Sequence, residues 1–143
     1  MKLTGSGAIT VRVAPNSVAA IDVRSDRVVG AIPVGDEPGW IAFGSGSLWV
    51  ANLGDQTISR VDPNNRRTLP MIPVAGPPAS IAAGPGGLWV VDSPGTSSVL
   101  VGRVDPVFNT FGSVARIGTV DPTGRWRSLL RAARSGSRPQ RAS

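Results

Sequence analysis

The segment IAFGSGSLWVAN, residues 41–52, recurs as IAAGPGGLWVVD at residues 81–92, forty places further along the chain. The same shift superimposes Ile32–Val34 on Ile72–Val74, and the register holds without a gap. A fixed period of this length is typical of repeat architectures, in which neighbouring units bury each other's apolar faces. The repeat therefore has to be interpreted before any single motif.

Within one period, short apolar runs end at turn residues, which indicates β-strands rather than helices. Because Pro73 lacks a backbone donor, the fourth strand should form the outer edge of its sheet. Four short antiparallel strands in about forty residues make one blade of a β-propeller. The expected strands of the best-preserved period are Trp40–Phe43, Ser47–Asn52, Thr57–Val61 and Arg67–Val74.

We therefore expect an all-β fold, a β-propeller fragment of about three four-stranded blades. The first blade is expected to be incomplete, with Ile9–Ala14 as its second strand. Residues 1–7 should form a lead-in, 8–120 the partial propeller and 121–143 a basic tail. The expected blades cover about residues 8–34, 40–74 and 80–118.

Three motifs support a resemblance to a known class of propeller. Ile41–Asn52 has the form IA-x-G-x-G-x-LWVAN, Thr57–Pro63 has the form T-h-S-R-h-D-P, where h is apolar, and Ile32–Gly35 has the form h-P-V-G. Together they resemble the YVTN and YncE-like β-propeller repeats over about residues 8 to 118. The resemblance implies the fold but leaves the function open. Related propellers include free binding proteins, sensor domains of bacterial kinases and regulators, and virginiamycin B lyase-like enzymes.

The net charge of +6 is unevenly distributed along the 143 residues. Residues 1–120 carry nine Lys or Arg against eight Asp or Glu, whereas residues 121–143 carry six Arg and one acid. Nucleic acid is therefore not expected as a partner except through the basic tail, which could also lie on an anionic membrane. Trp126 would lie on the apolar face of a short helix over Arg125–Arg134, or the tail is disordered or covers the last blade. The expected tail contacts are Arg125, Trp126, Arg127, Arg131 and Arg134.

The chain has no His, Cys or Tyr, which removes the usual general base, the thiol nucleophile and zinc sites built from His or Cys. We expect no enzyme activity, no cofactor and no metal. The expected function is a non-catalytic scaffold that binds a protein partner or small ligand, as a fragment of a larger propeller or sensor protein. The alternatives are a metal-dependent lyase resembling virginiamycin B lyase, although those lyases depend on His, and a detached sensor domain of a kinase or regulator.

The loops at one face of the blades carry the candidate ligand-binding residues. An acidic mouth with one aromatic could hold a cation or polar ligand, although loop acids are commonly solvated. Trp40 could stack on such a ligand or pack simply, whereas Trp49 and Trp89 are expected in the blade core. The candidates are Asp36, Glu37, Trp40, Asn52, Asp55 and Asp92.

Two further sets of residues have structural interpretations. The glycine-rich runs at 44–47 and 84–87 precede strands, so they should form tight turns rather than phosphate loops. Asp22, Asp62 and Asp105 end equivalent third strands and are expected to cap turns.

The repeat stops after Gly118, which favours a truncated or frame-shifted piece of a larger propeller. Self-association could instead supply the missing blades. No apolar run approaches the roughly 20 residues of a transmembrane helix. The first ten residues lack a signal-peptide core, so we expect a cytoplasmic protein as written, or an extracytoplasmic one if the chain belongs to a longer secreted or anchored protein.

Overall fold

The computed structural model describes residues 12–92, 98–112 and 115–119. Every regular element in these ranges is a β-strand, so the all-β prediction is confirmed. No helix in this part of the chain is long and apolar enough to cross a membrane. The lead-in at 1–7 and the tail at 121–143, with its five expected contact residues, lie outside the described residues. The strands are β1 (Ser17–Asp22), β2 (Arg27–Pro33), β3 (Pro38–Gly44), β4 (Ser47–Asn52), β5 (Thr57–Asp62), β6 (Arg67–Thr68), β7 (Ile72–Pro73), β8 (Pro78–Gly84), β9 (Gly87–Asp92), β10 (Ser98–Asp105), β11 (Thr110–Phe111) and β12 (Ala115–Thr119).

The strands form three antiparallel sheets in chain order. The first sheet contains β1 and β2, the second runs β3-β4-β5, and the third runs β8-β9-β10. In the second sheet both β6 and β7 pair with β5, and in the third both β11 and β12 pair with β10. The expected fourth strand, Arg67–Val74, is therefore the outer edge but is interrupted. Pro70 lies in the interruption, where it cannot donate to the ladder.

The strand pairing shows which residues of the second and third sheets are equivalent. Trp49 lies between Ala42 on β3 and Arg60 on β5, and Trp89 lies between Ala82 on β8 and Arg103 on β10. Equivalent positions are therefore 40 residues apart on the two inner strands but 43 apart on the third strand.

The main core lies between the second and third sheets, which stack face to face. Burying one large aliphatic or aromatic side chain there contributes about 1.5–3 kcal/mol to the stability of the fold. Arg60 covers the indole of Trp49, with its guanidinium 5.0 Å from the ring centroid, and its NH1 donates to the Pro106 carbonyl of the third sheet at 2.6 Å. The buried core residues are Trp49, Ala51, Ile58, Ile72, Leu88, Val90 and Val104.

The first sheet covers only part of the second. Its β2 lies against the outer strands, where Thr68 Oγ1 donates to the Pro33 carbonyl and Arg66 donates to the Val29 carbonyl at 3.4 Å. On the inner strand β3, Ile41 and Phe43 remain 55% and 66% exposed. Residues 9–11 of the expected second strand, Ile9–Ala14, lie outside the described residues, and 12–14 have no assigned strand.

The turns follow the sequence predictions. Ser45 and Gly46 both have positive φ, 51° and 69°, as a two-residue hairpin turn between β3 and β4 requires. The three strand-ending aspartates accept backbone N–H groups two residues further on, at 3.2, 2.8 and 2.7 Å for Asp22, Asp62 and Asp105. The Ser25 hydroxyl and the Arg24 N–H lower the pKa of Asp22 by bonding its charged form.

Candidate functional site

Asn52 is the centre of a buried polar network at the end of β4. Its Nδ2 donates to Thr57 Oγ1 and Ser59 Oγ, both at 2.9 Å. Ser59 Oγ also accepts the backbone N–H of Gly35 at 3.1 Å, which ties the connection after β2 to the second sheet. A Cβ on Gly35 would lie 2.5 Å from Asn52 Nδ2, so this close approach requires glycine. Asn52 therefore fixes the position of a loop.

Two of the predicted mouth acids belong to the same network. The carboxylate of Asp55 accepts the Thr57 hydroxyl at 2.7 Å and the Asp36 backbone N–H at 3.1 Å. The Asp36 carboxylate accepts Asn16 Nδ2 at 2.9 Å, across to the residue before β1. The structure thus brings Asp36, Asn52 and Asp55 together, with hydrogen bonds that hold the loops in place. We call these three residues with Thr57 and Ser59 the strand-end cluster.

Among the described residues, no side chain of the remaining mouth candidates hydrogen-bonds to the strand-end cluster, although Glu37 directly follows Asp36. The exposed Glu37 accepts the Leu53 N–H through its carbonyl at 3.0 Å, and Trp40 is 52% exposed at the start of β3. Asp92 ends β9 in the next sheet, and the described residues show no hydrogen bond between it and the strand-end cluster. Among the residues that the structure describes, no three Asp or Glu come together as a metal site would require.

Asp92 is the third-sheet equivalent of Asn52, and it lacks the partners that Asn52 has. It is fully buried, and neither carboxylate oxygen has a hydrogen-bond partner among the described residues. The residues equivalent to Thr57 and Ser59 are Leu100 and Gly102, which offer no hydroxyl. Burial raises the pKa of Asp92 to about 6, and a weaker opposing effect comes from the Ala75 backbone amide, which falls short of hydrogen-bond geometry.

The prediction that both tryptophans lie in the blade core is right for Trp49 and wrong for Trp89. Trp49 is completely buried, whereas Trp89 is 48% exposed. The second sheet has the third sheet packed on its Trp49 side, but no described strand covers the equivalent side of the third sheet. Cross-strand pairing identifies the residues whose side chains lie on that side of the third sheet. We define the Trp89 face as Ser80, Ala82, Trp89, Val91, Val101 and Arg103.

A cleft of about 270 Å³ opens on the Trp89 face, lined by Trp89, Arg103, Asp105 and Gly112. Arg60 reaches across to the neighbouring sheet, but its equivalent Arg103 donates within its own sheet to the Gly86 carbonyl, at 3.0 Å from Nε. Sequence reasoning placed Trp89 in the core because the motif around Trp89 is the same as that around Trp49.

Comparison with solved structures places this architecture among β-propellers. The chain is similar to hydrazine synthase of Kuenenia stuttgartiensis, with a TM-score of 0.68 and 21% identity over 76% of this chain and 34% of that one. It is also similar to the dihydro-heme d1 dehydrogenase NirN in complex with DHE, with a TM-score of 0.58 and 19% identity over 71% of this chain and 24% of that one. The chain thus spans about a third and a quarter of these two chains.

No family profile matches the sequence, and no curated protein matches it. At identities of 21% and 19%, the two likenesses concern the fold alone. Both neighbours are β-propeller proteins, and the described sheets stack as successive blades. The chain is therefore an all-β fragment of a β-propeller.

Proposed function

We propose that this chain is a non-catalytic binding scaffold, built from YVTN and YncE-like repeats, that receives a protein partner on the Trp89 face. The repeat motifs at 41–52 and 81–92 support the family resemblance. One observation carries the binding function. Trp89 is 48% exposed, although its equivalent Trp49 is completely buried by a packed sheet.

The shape and chemistry of the Trp89 face favour a protein over a small ligand. Its side chains are mainly small or apolar, on the broad surface of a sheet, with one large aromatic and one guanidinium. Half-exposed tryptophan and arginine are the residue types that dominate the binding energy of protein interfaces. The polar alternative, the strand-end cluster, already uses its carboxylates to hold its own loops.

Photo-crosslinking from the Trp89 face tests this function. The photoreactive residue p-benzoylphenylalanine is placed at Ala82, which is exposed and pairs with Trp89, in cells that produce the protein from its own gene. The matched control carries it at Asn64, an exposed turn residue of the second sheet. We expect one discrete adduct from position 82 that is missing from position 64. No discrete adduct, or the same adducts from both positions, would refute the proposal.

A further inference from the structure

We propose that the partner on the Trp89 face is a second copy of this chain, bound face to face about a two-fold axis as a closed dimer. This inference rests on the proposed binding function and names its partner. Three features of the structure support it: the equivalent surface of the second sheet is covered by a β-sheet, the charges on the Trp89 face are self-complementary, and the other end of the stack is partly covered.

The chain already contains an interface made by the residues equivalent to the Trp89 face. In the second sheet, Ala42 packs against the core and a Cβ added to Gly44 would lie 2.6 Å from the Ala83 Cβ of the third sheet. The equivalents on the Trp89 side are Ala82, which is exposed, and Gly84, where an added Cβ would meet nothing within 4 Å. The same surface is thus packed against the opposite face of the next sheet in one case and open in the other, which shows that it accepts a β-sheet; the face-to-face arrangement rests on the charges.

The charges on the open side are self-complementary. Arg103 and Asp105 lie two residues apart on β10, and both line the cleft beside Trp89. A two-fold axis through the Trp89 face brings the guanidinium of one copy towards the carboxylate of the other, twice. Such self-complementarity is what a symmetric, isologous interface requires, and two-fold dimers are the commonest assemblies of identical chains.

Head-to-tail association is disfavoured by the first sheet. Ile41 and Phe43, the equivalents of the packed Ile81 and Ala83, are exposed at the opposite end of the stack. The first sheet occupies the outer part of that end through the contacts of Thr68 and Arg66. A complete four-stranded sheet from another copy would overlap β2 there. The Trp89 face has no such obstruction among the described strands.

Sedimentation of the full chain as a function of concentration tests the dimer. Between about 1 and 200 µM, the range in which interfaces of micromolar Kd associate, we expect a single transition from 14.7 kDa to twice that mass. Trp89→Ser should raise the dimer Kd by about 30-fold or more, as expected for a central hot-spot residue. Arg103→Glu should also weaken the dimer, because two carboxylates would then face each other. Phe43→Ser is the matched control, an exposed aromatic at the other end, and should change Kd by less than about threefold.

Three outcomes would overturn the inference. They are a monomer at every concentration, a dimer whose Kd Trp89→Ser leaves unchanged, or open-ended assemblies larger than a dimer that Phe43→Ser abolishes. Circular dichroism and urea midpoints of the dilute variants establish that each remains folded. If the purified chain is monomeric while position 82 still crosslinks to a different protein, the dimer is wrong and the binding function stands.

Discussion

Replacing Asp92 with Asn should stabilise the protein near neutral pH. The substitution keeps the shape of the side chain and removes a charge that burial disfavours. It also restores at this position the residue found at the equivalent Asn52. The gain in stability should be larger at high pH, where Asp92 is ionised, because a protonated Asp92 is uncharged like the Asn side chain.

The magnitude follows from the pKa of Asp92. Its folded value of about 6 exceeds the unfolded 3.8, so the folded protein binds the proton more tightly. The cost of this carboxylate to folding is therefore absent below pH 3.8, grows as the pH rises, and is complete above about pH 6 to 7. The shift corresponds to at most about 3 kcal/mol, so we expect Asp92→Asn to add about 1–3 kcal/mol at pH 7.5.

Urea unfolding of the wild-type and variant proteins at pH 4 and pH 7.5 measures the effect, at a protein concentration low enough to avoid association. The two proteins should differ by less than about 0.5 kcal/mol at pH 4 and diverge at pH 7.5. Asp105→Asn is the control, because its amide oxygen can still accept the Val107 N–H. An Asp92→Asn variant that is equally stable or less stable than wild type at pH 7.5 would refute the reasoning.

Five further substitutions give three tests of the packing, each by urea unfolding of the dilute protein. Gly44→Ala should cost about 1–3 kcal/mol because its Cβ would collide with the third sheet, whereas Gly84→Ala meets open space and should cost less than about 1 kcal/mol; equal effects would contradict the stacking. Trp49→Ala should cost about 3–5 kcal/mol and Trp89→Ala less than about 2 kcal/mol; a reversed order would contradict the assigned burial. Ser59→Ala leaves two buried donors without this acceptor and should cost about 1–3 kcal/mol; a neutral variant would show that the strand-end cluster is dispensable.

The repeat predicted the fold because the information is local and occurs twice. The motif of Ser47–Asn52 specifies a strand with apolar residues on both faces, and the structure has that strand with the same bounds. The interruption of the outer strand was not predicted, although Pro70 and Pro73 both lie within the expected strand Arg67–Val74. The exposure of Trp89 was not predicted either, because the residues around a tryptophan do not reveal whether another sheet covers it.

The lack of hydrogen-bond partners at Asp92 in the described part of the chain could not be predicted from the forty-residue repeat, because the register of the third strand differs between the two sheets. The forty-residue shift aligns Thr57 with Ser97, which suggests that a hydroxyl is retained near Asp92. Strand pairing shows that the equivalent residue is Leu100, because the connection before β10 is one residue longer than that before β5 and β10 begins two residues before Leu100. Side-chain partners in a sheet depend on register, and a few extra residues between the paired positions change them.

Acrylamide quenching of variants that keep only Trp49 or only Trp89, with the other tryptophans replaced by Phe to preserve the packing, tests the central claim most directly. The claim is that the two residues occupy equivalent positions and differ only in what covers them. At about 1 µM, below the expected dimer Kd, Trp89 should be quenched several-fold more efficiently than Trp49, and higher protein concentration should protect Trp89 alone. Equal quenching of the two tryptophans at 1 µM would contradict the account.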